Sequence, residues 1–201
     1  MNKRILISLS VIGAVAAIVI GGTIAYFSDT ETSTGNTFTA GTLNLTVNDK
    51  DGENVSFSFS NLKPGDQPKV NYKIKNVGSI AGYLDIENVS FESNENDLTE
   101  PEQEAGDTST STGELDDVLN LRMFLDYNGD GWISPGDVVF FDGKIKDLPT
   151  HFELNEPVPA NGGTDFVAEI YDWWPTSMDN QVQSDSVVIN LTFELAQTTD
   201  Q

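Results

Sequence analysis

The sequence predicts an all-β protein, an antiparallel, jelly-roll-like β-sandwich preceded by an N-terminal hydrophobic signal helix. Three observations lead to this fold class. Apolar and polar residues alternate along much of the chain, a charge-free apolar run lies at the N-terminus, and no later segment repeats its apolar residues with helical spacing. Strands that carry a single apolar face suit two antiparallel sheets packed face to face.

The N-terminal run has the features of a secretory signal. A short basic segment precedes residues 5–20, which contain no charge. Two small residues, Thr23 and Ala25, fit the −3 and −1 positions of a signal-peptidase site. We therefore expect residues 1–25 to be a signal peptide that is cleaved between Ala25 and Tyr26.

Two other interpretations of the leader stay open. The uncharged stretch 5–27 is long enough to span a bilayer, for which roughly 20 residues suffice, so the leader is alternatively an uncleaved membrane anchor. The other interpretation is a type IV pilin or archaellin leader, which is usually cleaved after a glycine in front of the apolar helix. Residues 1–4 contain no glycine, which disfavours it. We expect contact with a membrane only through the uncleaved signal.

The predicted strands lie within residues 37–201, which we assign to the sandwich domain. Clusters of Gly, Pro, Asn and Asp separate the first strands. Residues 93–117 are acidic and rich in Ser, Thr and Glu, which favours a mobile surface insertion, and residues 155–163 have the composition of a Pro/Gly linker. Strands are expected where apolar residues alternate, at 43–47, 55–59, 70–74, 84–86, 119–125, 166–170 and 187–195.

The charge and composition of the 201-residue chain exclude several functions. It has 10 basic and 32 acidic residues, a formal net charge of −22, and such a surface repels phosphate backbones, so nucleic acid is excluded as a partner. The chain has no Cys and one His, His151, which excludes disulfides, thiol nucleophiles and zinc sites that need cysteines or two imidazoles. No catalytic motif is present, and we predict that the protein is not an enzyme.

Residues 126–137 form the strongest chemical motif, with the pattern D-x-N-x-D-G-x-I-S-x-x-D. Calcium prefers about six to eight oxygen ligands, and a twelve-residue loop supplies them from alternate positions and from its last residue. Gly131 permits the sharp turn in the middle, and Ile133 would anchor the loop to the core. We predict a structural Ca²⁺ site whose ligands are the side chains of Asp126, Asn128, Asp130, Ser134 and Asp137 and the carbonyl of Trp132.

Two departures from the calcium pattern keep an alternative open. The last position is Asp137 rather than a glutamate, as in dockerin loops, and neither flank has the pattern of a helix. An Asp- and Gly-rich β-turn needs no ion and is the alternative. Oxygen donors at every ligand position favour calcium, and because no catalytic histidine accompanies them, the role expected for the metal is structural.

Two weaker features have no assigned role. N-glycosylation sequons begin at Asn44, Asn54, Asn88 and Asn190, and their use depends on the host. The pair Trp173-Trp174 either plugs the end of the core or stacks on a sugar or a neighbouring subunit.

Short motifs in the first part of the chain resemble a known family. The leader continues into G-G-T-I-A-Y-F-S-D at residues 21–29, followed by F-T-A-G-T-L-N-L at 38–45, N-L-K-P-G-D at 61–66 and N-V-G-S at 76–79. Taken in this order, the motifs resemble the TasA/camelysin family, which includes bacterial biofilm-fibre and archaeal bundling-pilus subunits. The resemblance is dense over residues 1–80 and then fades, apart from the last strand.

The resemblance implies export, processing by a SipW-type signal peptidase and assembly by donor-strand complementation. In that assembly the mature N-terminal segment of one subunit completes a sheet of the next, which is a form of β-augmentation. By its position after the cleavage site, the donor would lie within residues 26–36. The alternative is that this segment is a disordered terminus. The donor residues expected are Tyr26, Phe27, Ser28, Asp29, Thr30, Glu31 and Thr32.

We therefore expect a secreted structural subunit of an extracellular filament, either a biofilm matrix fibre or a bundling pilus. Its partners would be further copies of itself, signal peptidase and other matrix components, and calcium would stabilise it. Two alternatives stay open. One is a cell-surface adhesion module anchored by its leader, and the other is a secreted metallopeptidase of the camelysin type, for which the sequence offers no zinc-ligand spacing.

Overall fold

A computed structural model describes residues 40–63, 65–171 and 180–199. Within these ranges no helix has both the length and the hydrophobicity needed to cross a membrane. The described residues form two short helices, α1 (Glu100–Ala105) and α2 (Leu115–Val118), with 3₁₀ turns at Ile145–Asp147 and Asn180–Val182. The strands are β1 (Leu45–Val47), β2 (Lys50–Asp51), β3 (Asn54–Ser60), β4 (Lys69–Asn76), β5 (Gly82–Asn94), β6 (Asn120–Asp126), β7 (Val138–Lys144), β8 (Phe152–Val158), β9 (Gly163–Ile170) and β10 (Ser186–Ala196).

The strands form two antiparallel sheets, which confirms the predicted fold class. One sheet has the order β2-β1-β4-β9-β6-β7, and the other has the order β3-β10-β5-β8. From β2 onward the chain passes between the sheets at nearly every connection, as in a jelly roll. The predicted signal helix lies outside the described residues.

The core lies between the two sheets and is built by the alternating apolar residues. On β3, Val55, Phe57 and Phe59 are buried while the residues between them are exposed. Phe166 of β9 and Phe193 of β10 meet across the sandwich with ring centroids 5.3 Å apart in an edge-to-face arrangement. Burial of each such side chain contributes about 1.5–3 kcal/mol, so this layer is the main source of stability.

Two sequence expectations need correction. Residues 155–158, assigned to a Pro/Gly linker, complete strand β8. Pro157 is tolerated there because β8 is the edge of its sheet and needs fewer N–H donors. The acidic segment 93–117, expected to be a mobile insertion, begins as the end of β5, contains α1, and places Leu115 in the core at 2% exposure.

Candidate functional site

The loop 126–137 connects two neighbouring antiparallel strands at one end of the six-stranded sheet. Strand β6 ends at Asp126 and β7 begins at Val138. Gly129 and Gly131 have φ angles of 72° and 75°, in the left-handed region that favours glycine. The loop thus has the expected sharp turn and is flanked by strands rather than helices.

Asp126 is the structural centre of this loop. It is 1% exposed, and its carboxylate accepts hydrogen bonds from the backbone N–H groups of Asn128 at 3.2 Å, Gly129 at 2.7 Å and Gly131 at 2.6 Å. A buried carboxylate is costly unless it is hydrogen-bonded, and these three donors compensate for its burial. The first ligand position is therefore rigidly oriented.

The last ligand position is held in a similar way. Asp137 accepts hydrogen bonds from the N–H of Tyr127 at 3.0 Å, and from the N–H and hydroxyl of Ser134 at 2.7 and 3.0 Å. Desolvation acts to raise the pKa of Asp137, but these donors outweigh it and hold the pKa below its usual value. The carboxylate is thus ionised at neutral pH and ties the end of the loop to its beginning.

The middle ligand positions contact one another. The side-chain amide of Asn128 donates to the carboxylate of Asp130 at 3.0 Å and to the hydroxyl of Ser134 at 2.8 Å. Among the described residues, two groups of three carboxylates have ligand atoms all within 4.8 Å of one another, and neither includes a loop residue. The structure therefore brings the neutral side chains of Asn128 and Ser134 together with the carboxylate of Asp130. The calcium site stays a prediction.

Two apolar residues of the loop are exposed. Trp132 is 64% exposed, while its backbone N–H donates to Asp130 at 2.7 Å. Ile133, expected to anchor the loop to the core, is 43% exposed, and that expectation is wrong. The reason is that the loop extends from the end of a sheet, where no helix pair covers its central residues.

Lys69, which the sequence reasoning missed, fixes the loop to β4. Its ammonium group donates a 2.7 Å hydrogen bond to the carbonyl of Gly131 and lies 3.6 Å from the ring centroid of Trp132. A cation over the face of an indole is attracted by the ring quadrupole. No local signal in the sequence could have placed Lys69 here, because it lies 62 residues from Gly131.

The motifs shared with the family contact one another in the described structure. The N–H groups of Val77 and Ser79 donate to the carbonyls of Asn44 and Thr42, each at 2.8 Å. A Cβ atom on Gly78 would lie 2.2 Å from the Thr42 carbonyl oxygen, so only glycine permits this approach. The N-V-G-S and G-T-L-N motifs therefore act together as a structural clamp beside β1.

Several predicted residues lie outside the described ranges. These are the cleavage site between Ala25 and Tyr26, the donor segment 26–36 and the pair Trp173-Trp174.

The sequence reasoning also missed a group of acidic side chains that the fold brings together. We call it the carboxylate cluster, and its members are Glu95, Glu102, Asp107, Glu114 and Asp185. Burial, followed by repulsion from the neighbouring carboxylates, raises the pKa of Glu114 to about 7 and also raises the pKa values of Glu95 and Asp185. The only signal in the sequence was the acidic character of residues 93–117, which is equally typical of an exposed segment.

Together, the jelly-roll-like sandwich, the clamped turns and the oxygen-rich loop define an acidic β-sandwich protein. A family model described as camelysin metallo-endopeptidase matches residues 2–127, and the chain belongs to this family. The chain is also 28% identical over 160 residues to the major biofilm matrix component of Bacillus subtilis (strain 168). The match covers 80% of this chain and 57% of that protein's length. The resemblance to the TasA/camelysin family is thereby confirmed.

Proposed function

We propose that this protein is a secreted structural subunit of an extracellular matrix fibre, whose copies join head to tail by donor-strand complementation. Its family and its similarity to a protein named as the major biofilm matrix component support the role. Because the chain spans 57% of that relative's length, the assembly mechanism has to be argued from the chain's own strands.

The observation that carries the proposal is the edge of β3, which no second described strand pairs with, although the Tyr72 hydroxyl donates to its Ser56 carbonyl at 3.2 Å. Among the described strands, β3 pairs with β10 alone and forms the edge of the four-stranded sheet. Its sequence, N-V-S-F-S-F-S, has neither a charge nor a proline. Edge strands usually carry such residues because they prevent pairing with other chains, and β3 lacks this protection. It is therefore suited to accept an added strand.

A groove at the start of β3 combines three leucines with polar and acidic residues, among them Glu53 and Glu194. It has a volume of about 630 Å³ and opens between β1 and the β2–β3 connection, with β10 on its other side. Leu43, Leu45 and Leu195 line it and are partly exposed. Partly exposed leucines next to an unpaired strand edge favour an extended segment with its own apolar residues.

The occupant that we propose is segment 26–36 of a neighbouring copy. Tyr26 and Phe27 supply the apolar residues, and the polar residues after them suit a connecting arm. A head-to-tail contact of this kind does not close on itself and generates a filament. Export and removal of the leader at Ala25 would release this segment, which places assembly outside the cell.

Electron microscopy of the purified protein without its leader tests this function. We expect filaments, and we expect deletion of residues 26–35 to leave a folded monomer with unchanged circular dichroism. Filaments from the truncated chain would show that the donor segment has been assigned wrongly. Monomers of the intact mature chain under all salt and calcium conditions would contradict the fibre role itself.

A matched pair of lysine variants tests the acceptor edge. Ser58 lies on β3 and Ser90 lies on the central strand β5, and both side chains are exposed. Ser58→Lys introduces a charge at the edge where the donor would dock, and we expect it to slow fibre growth several-fold. Ser90→Lys adds the same charge to β5, which β10 separates from the β3 edge, and growth should be nearly unchanged. Equal rates for the two variants would exclude β3 as the acceptor.

The second candidate function is the peptidase activity that the family description names. The chain's one histidine, His151, is exposed, and its ring forms a hydrogen bond with the Thr150 hydroxyl at 3.5 Å and with no other described residue. A zinc peptidase site with two histidine ligands cannot be built from this chain. We therefore propose a non-enzymatic role, and chelator-sensitive cleavage of casein by contaminant-free protein would contradict it.

A further inference from the structure

We propose that the carboxylate cluster is a second divalent-cation site, and that Ca²⁺ is its ion. The ligands would be oxygens of Glu95, Asp107, Glu114 and Asp185, with Glu102 supporting them. The site shares no residue with the loop 126–137, and it does not depend on fibre assembly.

Glu95 belongs to two groups of three carboxylates, each close enough together to share one metal ion. The ligand atoms of Glu95, Glu102 and Asp185 all lie within 4.8 Å of one another, and so do those of Glu95, Asp107 and Glu114. Separations up to this limit suit an ion of either size, since calcium–oxygen distances are roughly 2.3–2.6 Å and magnesium–oxygen distances about 2.0–2.1 Å. Calcium is the better fit because it takes about six to eight oxygen ligands in a flexible geometry, whereas magnesium requires a near-octahedral shell and usually keeps several waters.

Four oxygens of the cluster are buried and accept no hydrogen bond from the residues that the structure describes. They are Oε2 of Glu95, Oδ2 of Asp107, Oε2 of Glu114 and Oδ1 of Asp185. Three of these residues are more than nine-tenths buried, with exposures of 9% for Glu95, 8% for Asp107 and 1% for Asp185. Buried polar atoms are nearly always satisfied, so an unpartnered oxygen on each of four neighbouring carboxylates indicates a missing ligand.

Within the described ranges, no basic side chain forms an ion pair that would supply the compensating charge. None of the ion pairs among the described residues involves a member of the cluster. The charges that act on Glu95, Glu114 and Asp185 are those of other carboxylates. A divalent cation bound between them would remove this repulsion and restore the solvation that burial has taken away.

The other oxygens of the cluster are held in place by the backbone. Glu102 accepts from the N–H groups of Thr99 at 2.6 Å and Ser184 at 3.0 Å. Asp185 Oδ2 accepts from the N–H of Glu114 at 2.6 Å. In Asp185 one oxygen is thus fixed by the fold while the other stays free, which is the arrangement of a preoriented ligand. Both oxygens of Glu102 accept hydrogen bonds, so its role is to support the site.

Close packing around Asp185 supports the same assignment. A Cβ atom added to Gly113 would lie 2.5 Å from the Asp185 carboxyl carbon and 2.7 Å from each of its oxygens. A glycine at this point leaves the carboxylate in place without a side chain to cover it. Because Gly113 has no side chain, the backbone just before α2 can pack directly against the Asp185 carboxylate.

The competing explanation is that the carboxylates share protons among themselves and need no metal. Hydrogen–deuterium exchange of the intact mature chain, measured at pH 7.5 in chelator and in calcium, separates the two. With calcium at about 100 times its dissociation constant, linkage slows exchange that requires opening of the site by about 100-fold. We expect this protection in peptides covering residues 95–118 and 183–186. Unchanged exchange there at saturating calcium would overturn the proposal.

A variant pair locates the ion independently of the loop. In a chain carrying Asp130→Asn, which weakens the loop site, calcium should still raise the melting temperature. Glu95→Gln, added to the Asp130→Asn chain, should abolish that rise. In chelator, this double variant should melt at or above the melting temperature of the Asp130→Asn chain, because one repelling charge has been removed. The control Glu104→Gln changes an exposed glutamate of the same helix that contains Glu102, and it should keep the full rise. Equal calcium responses in the two variants would contradict the assignment, and magnesium in place of calcium should give a smaller rise.

Discussion

The ammonium group of Lys69 lies 3.6 Å from the ring centroid of Trp132. Lys69 is the first residue of β4, and Trp132 is the most exposed of the large apolar residues described. The same ammonium donates to the carbonyl of Gly131 at 2.7 Å. The tip of the oxygen-rich loop is thus attached by one cation to β4, which belongs to the same sheet as the two strands that flank the loop.

We predict that Lys69→Met loosens the loop without unfolding the sandwich. An exposed cation–π contact contributes about 0.5–1 kcal/mol, which corresponds to a fall in melting temperature of about 1–4 °C for a chain of this size. Lys73→Met, on the same exposed face of β4, is the control and should change the melting temperature less. Thermal unfolding followed by circular dichroism measures both. An equal fall in the two variants would mean that the Trp132 contact contributes nothing.

The loop 126–137 should respond to calcium through Asp130. In Asp130→Asn the Oδ1 atom can still accept the Trp132 N–H, so the turn is kept while one ligand charge is lost. We expect a weaker calcium-dependent rise in melting temperature than in the parent, whereas Asp51→Asn, an exposed charge on β2, should leave it intact. Asp126→Ala is a poorer test, because it also removes the acceptor of three backbone N–H groups. Identical calcium responses in Asp130→Asn and Asp51→Asn would show that the loop is an ordinary turn that needs no ion.

The strands and the loop that depend only on residues close together in the sequence were predicted from the sequence pattern. The alternation Val55, Phe57, Phe59 specifies one buried face of β3, and the spacing of Asp126 and Asp137 specifies one loop. Strand β7 was not predicted, because V-V-F-F is a continuous apolar run in which no alternation is visible.

The carboxylate cluster was not predictable because it depends on distant parts of the chain. Glu95 and Asp185 are 90 residues apart, and β5 and β10 become neighbours only through sheet pairing. The segment between β5 and α2 is so acidic that composition alone indicates an exposed insertion. The fold instead turns several of its carboxylates inward, and only a structure shows which ones.

The stability of the metal-free protein should decrease as the pH rises from about 5 to 7.5. Burial and the repulsion from Asp107, Asp185 and Glu95 raise the pKa of Glu114 from 4.5 to about 7. Between these values the folded state keeps a proton that the unfolded state has lost, so raising the pH favours unfolding. The pKa values of Glu102 and Asp137 are lowered in the folded state, so the contribution of these residues to stability changes only below about pH 4.5 and does not mask this trend.

Melting curves in chelator across this pH range measure the effect, and Glu114→Gln should flatten it because the amide does not titrate. Saturating calcium should also weaken the trend, since the bound ion favours the ionised carboxylates. A melting temperature in chelator that rises steadily from pH 5 to 7.5 would show that the cluster does not titrate as described.

Gly113→Ala should damage the cluster specifically. The added methyl group would lie 2.5 Å from the carboxyl carbon of Asp185, and either the carboxylate or the chain leading to α2 has to move. Overpacking of this kind costs about 1–3 kcal/mol, and displacement of Asp185 should in addition weaken the calcium-dependent rise in melting temperature. Gly143→Ala on β7 is the control, because its methyl group would meet the Phe141 ring at an ordinary 3.6 Å. If Gly113→Ala lowers the melting temperature in chelator but keeps the full calcium response, the role of Gly113 is limited to packing and Asp185 is not a ligand.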